Sequence, residues 1–560
     1  MDNSKNTIIA LVLIAVVFIL SNQLLWKQQE QPAKEETQGE IQEKQASSRD
    51  KPVQEPAKET TLPETESEVQ TGAEEVEPLA AKEGEFGFEQ AKNFDDKITL
   101  ENQYLKIIFS NRGATIKQVI LKDVMQSKEE QVAVRLLQSE RGLLGTKLNG
   151  DFGNIDLSRL KFKHEKQPNQ VRFYLQKDGV VRIERRYTIT DDYNLRMNFN
   201  INQLGFVDSY KLGLDSGVHY DAESNRSESY LKAVAKVNSE IKDKDFGDAE
   251  DDEGFIGNID WIALKSKYFM IAAIPEGRVE MDEVQLGVDK NIITAQADVE
   301  VARRGFEHSY ELYLGPMIIE NLKKYNNGLE DAMNFGWSLI RPISKFMLQL
   351  LTWIHNVIPN WGIAIIILSI IIKLVLSPLT HKGTKSSQKM QQIQPKVKEV
   401  QNKYKDNPKK AQQEVMKIYK EHGVSPLGGC LPLILQFPIL FALYPVLRSA
   451  LALRHADFIL WINDLSAPDP YYILPVVMGI AMFLQQKLMM QKTAGGASQQ
   501  AQAKTQKFMM YGMPIFLVFI FKSFPAGLVL YWLCYNILSI IERLWIMSKQ
   551  EPTTVQVETE

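Results

Sequence analysis

The feature that most constrains this chain is residues 361–380, WGIAIIILSIIIKLVLSPLT. As a helix, about 20 residues of this kind match the roughly 30 Å of hydrocarbon in a bilayer. Yet Lys373 stands inside the run, with Ser369 four residues before it and Ser377 four after. Helical geometry puts those three side chains on one face. An ammonium at membrane depth costs at least about 2.5–3.5 kcal/mol on insertion scales and marks a functional site by default. The question set by the sequence is what that lysine faces.

The overall hydrophobic fraction, 44%, is ordinary, but it is concentrated at the N-terminus and after residue 343. That distribution describes a membrane protein with a large soluble insert. The formal net charge of -4 hides strong segregation of charge, and no long acidic or basic block reads as nucleic-acid binding. Cys430 and Cys534 both lie in apolar stretches, so no disulfide framework or metal site is expected. No glycine-rich phosphate loop occurs, and no cofactor is expected.

Residues 7–26 form the first apolar run. It exceeds a signal-peptide apolar region of about 7–15 residues, and neither a small-residue cleavage site nor a lipidation cysteine follows. Residues 1–26 therefore read as an uncleaved anchor, with Lys5 inside the cell. Residues 27–92 are rich in Gln, Glu, Lys and Pro and are expected to form a disordered acidic tether. From 93 to 326 period-two alternation takes over: Leu105, Ile107, Phe109; Val181, Ile183, Tyr187, Ile189; Leu195, Met197, Phe199, Ile201. Turn residues Asn111-Arg112-Gly113 and Asp178-Gly179 separate these runs, which predicts one antiparallel β-sandwich domain. His219 and His308 lie beside strands and read as structural, not catalytic.

Residues 327–360 carry Met333, Trp337, Ile340, Phe346, Leu350 and Ile354 at helical spacing beside Arg341 and Lys345, between Pro342 and Pro359. This predicts an amphipathic helix lying at the membrane interface. Between residues 381 and 429, eleven lysines face four acids, a surplus of seven positive charges that places the loop in the cytoplasm. Met390, Ile393, Val397, Val400 and Tyr404, then Ala411, Val415, Ile418 and His422, predict an antiparallel helical hairpin over 382–425, turning at Asp406-Asn407-Pro408. Its lysines are either a solvated face or a surface for ribosomal RNA or lipid headgroups.

Further spans are expected at 427–447, 471–488, 508–521 and 526–547, within a membrane core over 361–547. Pro432, Pro438 and Pro445 predict a kinked or opened helix in the first of these, with Gln436 at its middle. The run at 508–521 reaches only about 21 Å at 1.5 Å per residue, so a locally thinned bilayer is expected. Six spans result, with both termini inside and a cytoplasmic tail at 548–560.

Asn360-Trp361-Gly362, Pro378-Leu379-Thr380, Gln394-Pro395-Lys396, Gly428-Gly429-Cys430-Leu431-Pro432, Gln436-Phe437-Pro438-Ile439 and Phe524-Pro525-Ala526-Gly527-Leu528 occur in this order over about 200 residues. In that order and spacing the chain resembles the YidC/Oxa/Alb insertase family, in its bacterial inner-membrane form with a large periplasmic domain. Trp261-Ile262-Ala263 and Tyr313-Leu314-Gly315-Pro316 resemble that periplasmic domain. The resemblance implies a membrane protein insertase and chaperone acting alone or with the Sec translocon, and not an enzyme. It implies nascent membrane proteins, ribosomes, Sec components and membrane lipids as partners, with no small-molecule substrate. It further implies a sandwich like that of sugar mutarotases, residues of about 27–340 in the periplasm, and a hydrophilic groove closed toward that side.

In that family one positive groove residue, usually arginine, meets the polar part of the incoming chain, and Lys373 stands at the matching position. An aromatic slide on the last span matches Tyr531 and Trp532. Lysine keeps the charge without the planar guanidinium, which requires the groove to be wet. The acidic end of the chain also departs from the basic tail of many members. Ser369, Ser377, Gln436 and Asn536 extend the polar surface that the helices offer to Lys373. The readings from other classes are a polar-groove transporter or channel, with Lys373 holding an anion, and a membrane-anchored sugar enzyme.

Overall fold

Strict alternation builds the soluble domain. In strand Val180–Ile189 the inward set Ile183, Arg185, Tyr187 and Ile189 is buried, and in Asn194–Ile201 the set Leu195, Met197, Phe199 and Ile201 is buried. A computed structural model describes residues 88, 97–126, 132–215, 218, 230–247, 252–277, 279–289, 292–424, 431–489 and 508–548. The expected anchor, His219, Cys430, the tail beyond 548 and all of the tether but residue 88 lie outside the described residues.

Among the described residues, strands from Ile98 to Pro316 form sheets of four, nine and six strands, and every pairing is antiparallel. The nine- and six-stranded sheets stack where Lys232–Val237 and Ile259–Lys265 meet Ile292–Arg303. Asp178 and Gly179 both take positive φ, the two-residue reversal that joins Gln170–Lys177 to Val180–Ile189. The expected β-sandwich is present, its strands running from Ile98 to Pro316.

Arg185 is the position that the hydrophobic alternation skips. It is fully buried, donates from Nη1 to the carbonyls of Gly113 (3.1 Å) and Leu144 (2.9 Å), and lies 5.0 Å over the Phe199 ring. Tyr187 beside it donates to the Ala114 carbonyl at 2.7 Å. A charged side chain thus pins two reversals to the main sheet, satisfying carbonyls that sheet pairing leaves open.

The amphipathic helix is shorter than the sequence pattern implied. It spans Arg341–Val357 (α1), while Met333, Trp337 and Ile340 precede it in turns. Pro342 opens it instead of interrupting it, because the first helical turn has no donor to lose. Phe346, Trp353 and Val357 are exposed on one side, and Leu351 and Ile354 are buried on the other.

The expected boundary between the lysine-bearing span and the hairpin is also absent. Trp361–Lys403 (α2) is one helix of 43 residues, about 65 Å long at 1.5 Å per residue, with Pro378 and Pro395 inside it. Its outer half forms the first hairpin arm, and Pro408–Glu421 (α3), capped by the Asn407 side chain, packs back along it. Leu431–Ser449 (α4) is helical through Pro438 and Pro445, where a kinked or opened helix was expected. Ile473–Met489 (α5) follows, then a π-helical turn Phe508–Gly512, Met513–Phe521 (α6) and Ala526–Ser548 (α7). By length and composition, Trp361–His381 and Ala526–Ser548 suit a membrane crossing, and Ile473–Leu488 and Met510–Phe521 are shorter apolar helices.

The segment between α4 and α5 joins domain to helices. Arg454 donates to the carbonyls of Met125 (2.8 Å) and Gln126 (2.6 Å), a fork onto the end of a strand. Tyr268 and Ser466 hydroxyls pair at 3.1 Å, and Asp331 sits between Arg341 (3.5 Å) and Lys345 (3.3 Å).

His308 lies in the sandwich 2.8 Å from the Tyr210 hydroxyl and against the Phe306 ring, and burial lowers its pKa to about 4. An unfolded imidazole titrates near 6.5, so its contribution to stability is complete above about pH 6.5 and is lost as pH falls toward 4. In thermal unfolding of the full chain, His308→Gln is expected to flatten the loss of stability between those limits. An unchanged pH slope in the variant contradicts that assignment.

Candidate functional site

On α2, buried Ala364, Ile365, Leu368, Ser369, Ile372 and Lys373 recur in the rhythm of one helix face, while Leu374 (67%) and Val375 (72%) are exposed. The inner strip therefore carries the polar residues, and the outer strip is fully apolar. Exposed Val476, Val477 and Ile480 on α5, Ile515 and Phe519 on α6, and Ile537, Ile541 and Leu544 on α7 continue this apolar exterior. A surface of that kind needs hydrocarbon as its solvent.

Lys373 is 8% exposed and its ammonium is held by α7. Nζ donates to Ser539 Oγ at 2.9 Å, lies 2.7 Å from Glu542 Oε2, and sits 4.7 Å over the Tyr535 ring. Ser539 accepts that bond while donating to its own helix at Tyr535 O, 2.8 Å away. Tyr535, Ser539 and Glu542 are spaced by four and three residues, so α7 presents them as one stripe. The Lys373 cation is thus directed to a neighbouring helix.

The other expected groove residues divide into two groups. Gln436 on α4 donates from Nε2 to the Tyr531 hydroxyl at 3.2 Å, forming a second polar contact to α7. Ser369 and Asn536 instead bond within their own helices, to Ile365 O (2.7 Å) and Trp532 O (2.8 Å). Trp532 packs on Phe521 with ring centroids 5.5 Å apart, and half-buried Ser377 lies one turn beyond Lys373 on the same strip. Among the described residues, no hydrogen bond joins the Gln436 pair to the Lys373 cluster.

Glu542 is the residue the sequence reading missed. Its signal was available: Trp532, Asn536 and Ser539 already define a polar side of α7, and three more residues reach Glu542. Arg543 next to it is also buried, and Arg543 Nε and Gln436 Oε1 have no hydrogen-bond partner among the described protein atoms.

Close packing depends on glycine at two positions, Gly527 facing α2 and Gly362 facing the segment between α4 and α5. A Cβ on Gly527 would lie 3.1 Å from both Ile365 Cδ1 and the Leu465 carbonyl, and one on Gly362 would lie 1.9 Å from the Phe458 ring. Asn360 caps α2 by accepting from Ile363 N at 2.9 Å. The segment before α5 supplies Ala467 O and Leu465 O to the first amides of α7, at 2.7 and 2.9 Å, and Asp469 accepts from Leu474 N at 2.6 Å to start α5. Protein backbone thus closes this end of the bundle, satisfying donors that a helix start leaves open.

An apolar-clad helical bundle with an ion pair inside it, joined to a large antiparallel β domain, defines an integral membrane protein with an extramembranous sandwich. The family profile of the 60Kd inner membrane protein matches residues 353–553, and that of the YidC periplasmic domain matches 97–350. The chain belongs to the YidC membrane protein insertase family. It is 31% identical to membrane protein insertase YidC of Chlorobium limicola and 33% identical to that of Chlorobaculum tepidum, each alignment covering 97% of this chain and 94% of the relative. A solved active YidC insertase aligns over 83% of this chain and 95% of its own, at 16% identity and a TM-score of 0.36. A galactose mutarotase-like protein from Lactobacillus casei aligns over 39% of this chain and 100% of its own, at 10% identity and a TM-score of 0.29.

If the ion pair couples α2 to α7, Lys373→Met and Glu542→Gln should not be additive. Each single change leaves the other charge without its partner, and the double change removes both. Chemical unfolding of the purified protein in detergent is expected to give a coupling of about 1–3 kcal/mol. Strictly additive losses contradict the coupling.

Proposed function

We propose that this insertase receives the polar part of an incoming membrane protein at Lys373, in a hydrophilic groove formed by α2, α4 and α7. The observation that carries the reading is the Lys373–Glu542 pair at 2.7 Å, an ammonium with an exchangeable counter-charge inside an apolar-clad bundle. Moving a polar segment through hydrocarbon fails mainly on desolvation, and a wet pocket part-way across lowers that cost. Water in the groove would also satisfy Gln436 Oε1 and Arg543 Nε. An acidic side chain of the client then takes the place of Glu542, and the client's apolar helix leaves sideways into lipid, driven by burial of its apolar surface. Tyr531 and Trp532 offer the aromatic surface along which it slides. No step needs a nucleotide or cofactor.

The topology belongs to the same proposal: six spans in the cell inner membrane, both termini in the cytoplasm, and residues of about 27–340 in the periplasm. The chain segment at 450–470 closes the groove on the periplasmic side. The lysine-rich hairpin faces the cytoplasm, where it meets ribosomes or anionic headgroups, and Sec components join for larger clients. The apolar run at 508–521 is short for the hydrocarbon core and supports a bilayer thinned beside the groove.

In reconstituted insertion assays, Lys373→Ala is expected to slow insertion of clients with acidic translocated segments about tenfold, equivalent to about 1.4 kcal/mol of barrier. Lys373→Arg, which keeps the charge, is expected to retain most of the activity. Equal insertion by wild type and Lys373→Ala contradicts a role for the groove charge.

A further inference from the structure

Trp361–His381 and Ala526–Ser548 carry three charged residues between them, taking His381 as neutral: Lys373, Glu542 and Arg543. Lys373 and Glu542 answer each other at 2.7 Å. Arg543 is left over. It is 7% exposed, its Nε is closed off from solvent without a hydrogen-bond partner, and its guanidinium makes no ion pair or ring contact among the described residues. Glu542 does not serve it, because adjacent residues of a helix project about 100° apart. Arg543 stands four residues beyond Ser539 and seven beyond Asn536, so α7 presents it on the polar side that holds Lys373.

About 7.5 Å of helical rise separates Arg543 from Ser548 at the end of α7. An arginine so close to a helix end ordinarily snorkels to a lipid headgroup. Here the lipid-facing side of α7 is a different one, with Ile537, Ile541 and Leu544 exposed and Arg543 buried. Water can solvate the guanidinium but leaves its charge uncompensated. The partner that answers it is an anion inside the bundle, and a carboxylate matches the planar fork of donors. The two helices are thus short of one negative charge. A client carboxylate supplies it at Arg543 without displacing any protein group, whereas at Lys373 it must first displace Glu542.

We propose that Arg543 is the first receiving position for an acidic side chain of the client, which pairs there before it exchanges with Glu542 at Lys373. With α7 ending in the cytoplasm, Arg543 lies on the side of Glu542 from which the client comes. Capture at Arg543 rests on the groove reading above and adds an order to it, with commitment following at Lys373. Arg543 thereby selects clients whose polar segment is acidic.

Insertion rates measured against client concentration separate the two steps, using the full chain in vesicles of phosphatidylethanolamine and phosphatidylglycerol. The client is a single-span protein with an aspartate-bearing translocated segment, compared with its asparagine counterpart. Arg543→Gln is expected to raise the half-saturating concentration of the aspartate client about tenfold, with a maximal rate within about twofold of wild type. Arg543→Lys is expected to recover most of that loss. The asparagine client is expected to show no shift, which also reports that the variant is folded. Lys373→Ala is expected to lower the maximal rate instead. An unchanged half-saturating concentration in Arg543→Gln overturns capture at Arg543, even where Lys373→Ala slows insertion. An equal shift or loss for both clients also overturns it, by giving the guanidinium a structural role. A shift that vanishes in vesicles of phosphatidylcholine alone overturns it too, by assigning the guanidinium to anionic lipid. If Lys373→Ala has no effect while Arg543→Gln shifts only the aspartate client, exchange at Lys373 fails and capture at Arg543 stands.

Discussion

The helical half of this protein is built around one ion pair. Lys373 and Glu542 reach each other at 2.7 Å between two helices whose other faces are apolar. Removing both charges from water is expensive, and their attraction repays that cost only with good geometry and further polar contacts. Ser539 supplies one such contact and the Tyr535 ring another. The pair therefore fixes more than a distance: it sets the rotation of α2 and α7 about their axes. Gly527 lies at the close approach to α2, where a Cβ would meet Ile365 Cδ1 and the Leu465 carbonyl at 3.1 Å each. Such a pair is a weak source of stability and a strong source of register, which suits a site whose counter-charge is to be exchanged.

The remaining structure supports that arrangement from one end. The chain between α4 and α5 caps α7, starts α5 through Asp469, and reaches the β domain through Arg454. The sandwich is itself held by buried polar pins, Arg185 above all, so a rigid body sits where the bundle is closed. At the opposite end α2 runs on past the apolar segment to meet α3. One helix thus connects the lysine to the basic hairpin.

Much of this was legible in the residues. Alternation located the sandwich strands, Asp178-Gly179 marked a hairpin turn, and the apolar run with Lys373 marked the site, because each signal is local and periodic. What stayed hidden was tertiary. Nothing near Lys373 in the chain names Glu542, since the pair forms between segments 169 residues apart in sequence. Arg185 was passed over because a charged residue breaks an apolar pattern, although its Nη1 finds the carbonyls of Gly113 and Leu144 at two reversals. The boundary expected after the apolar run of α2 is absent, and α4 stays helical through Pro438 and Pro445: a helix can lose single donors without ending. Glu542 itself lay one helical step beyond a polar stripe already visible on α7.

The central claim is that a client's carboxylate takes the place of Glu542 beside Lys373. It is tested most directly by photocrosslinking from position 536, on the polar side of α7, to a ribosome-bound nascent membrane protein with an acidic translocated segment. The account predicts a crosslink to that segment that is lost when its acids are replaced by their amides and when Lys373 is replaced by alanine. A crosslink of equal strength in all three cases would contradict it.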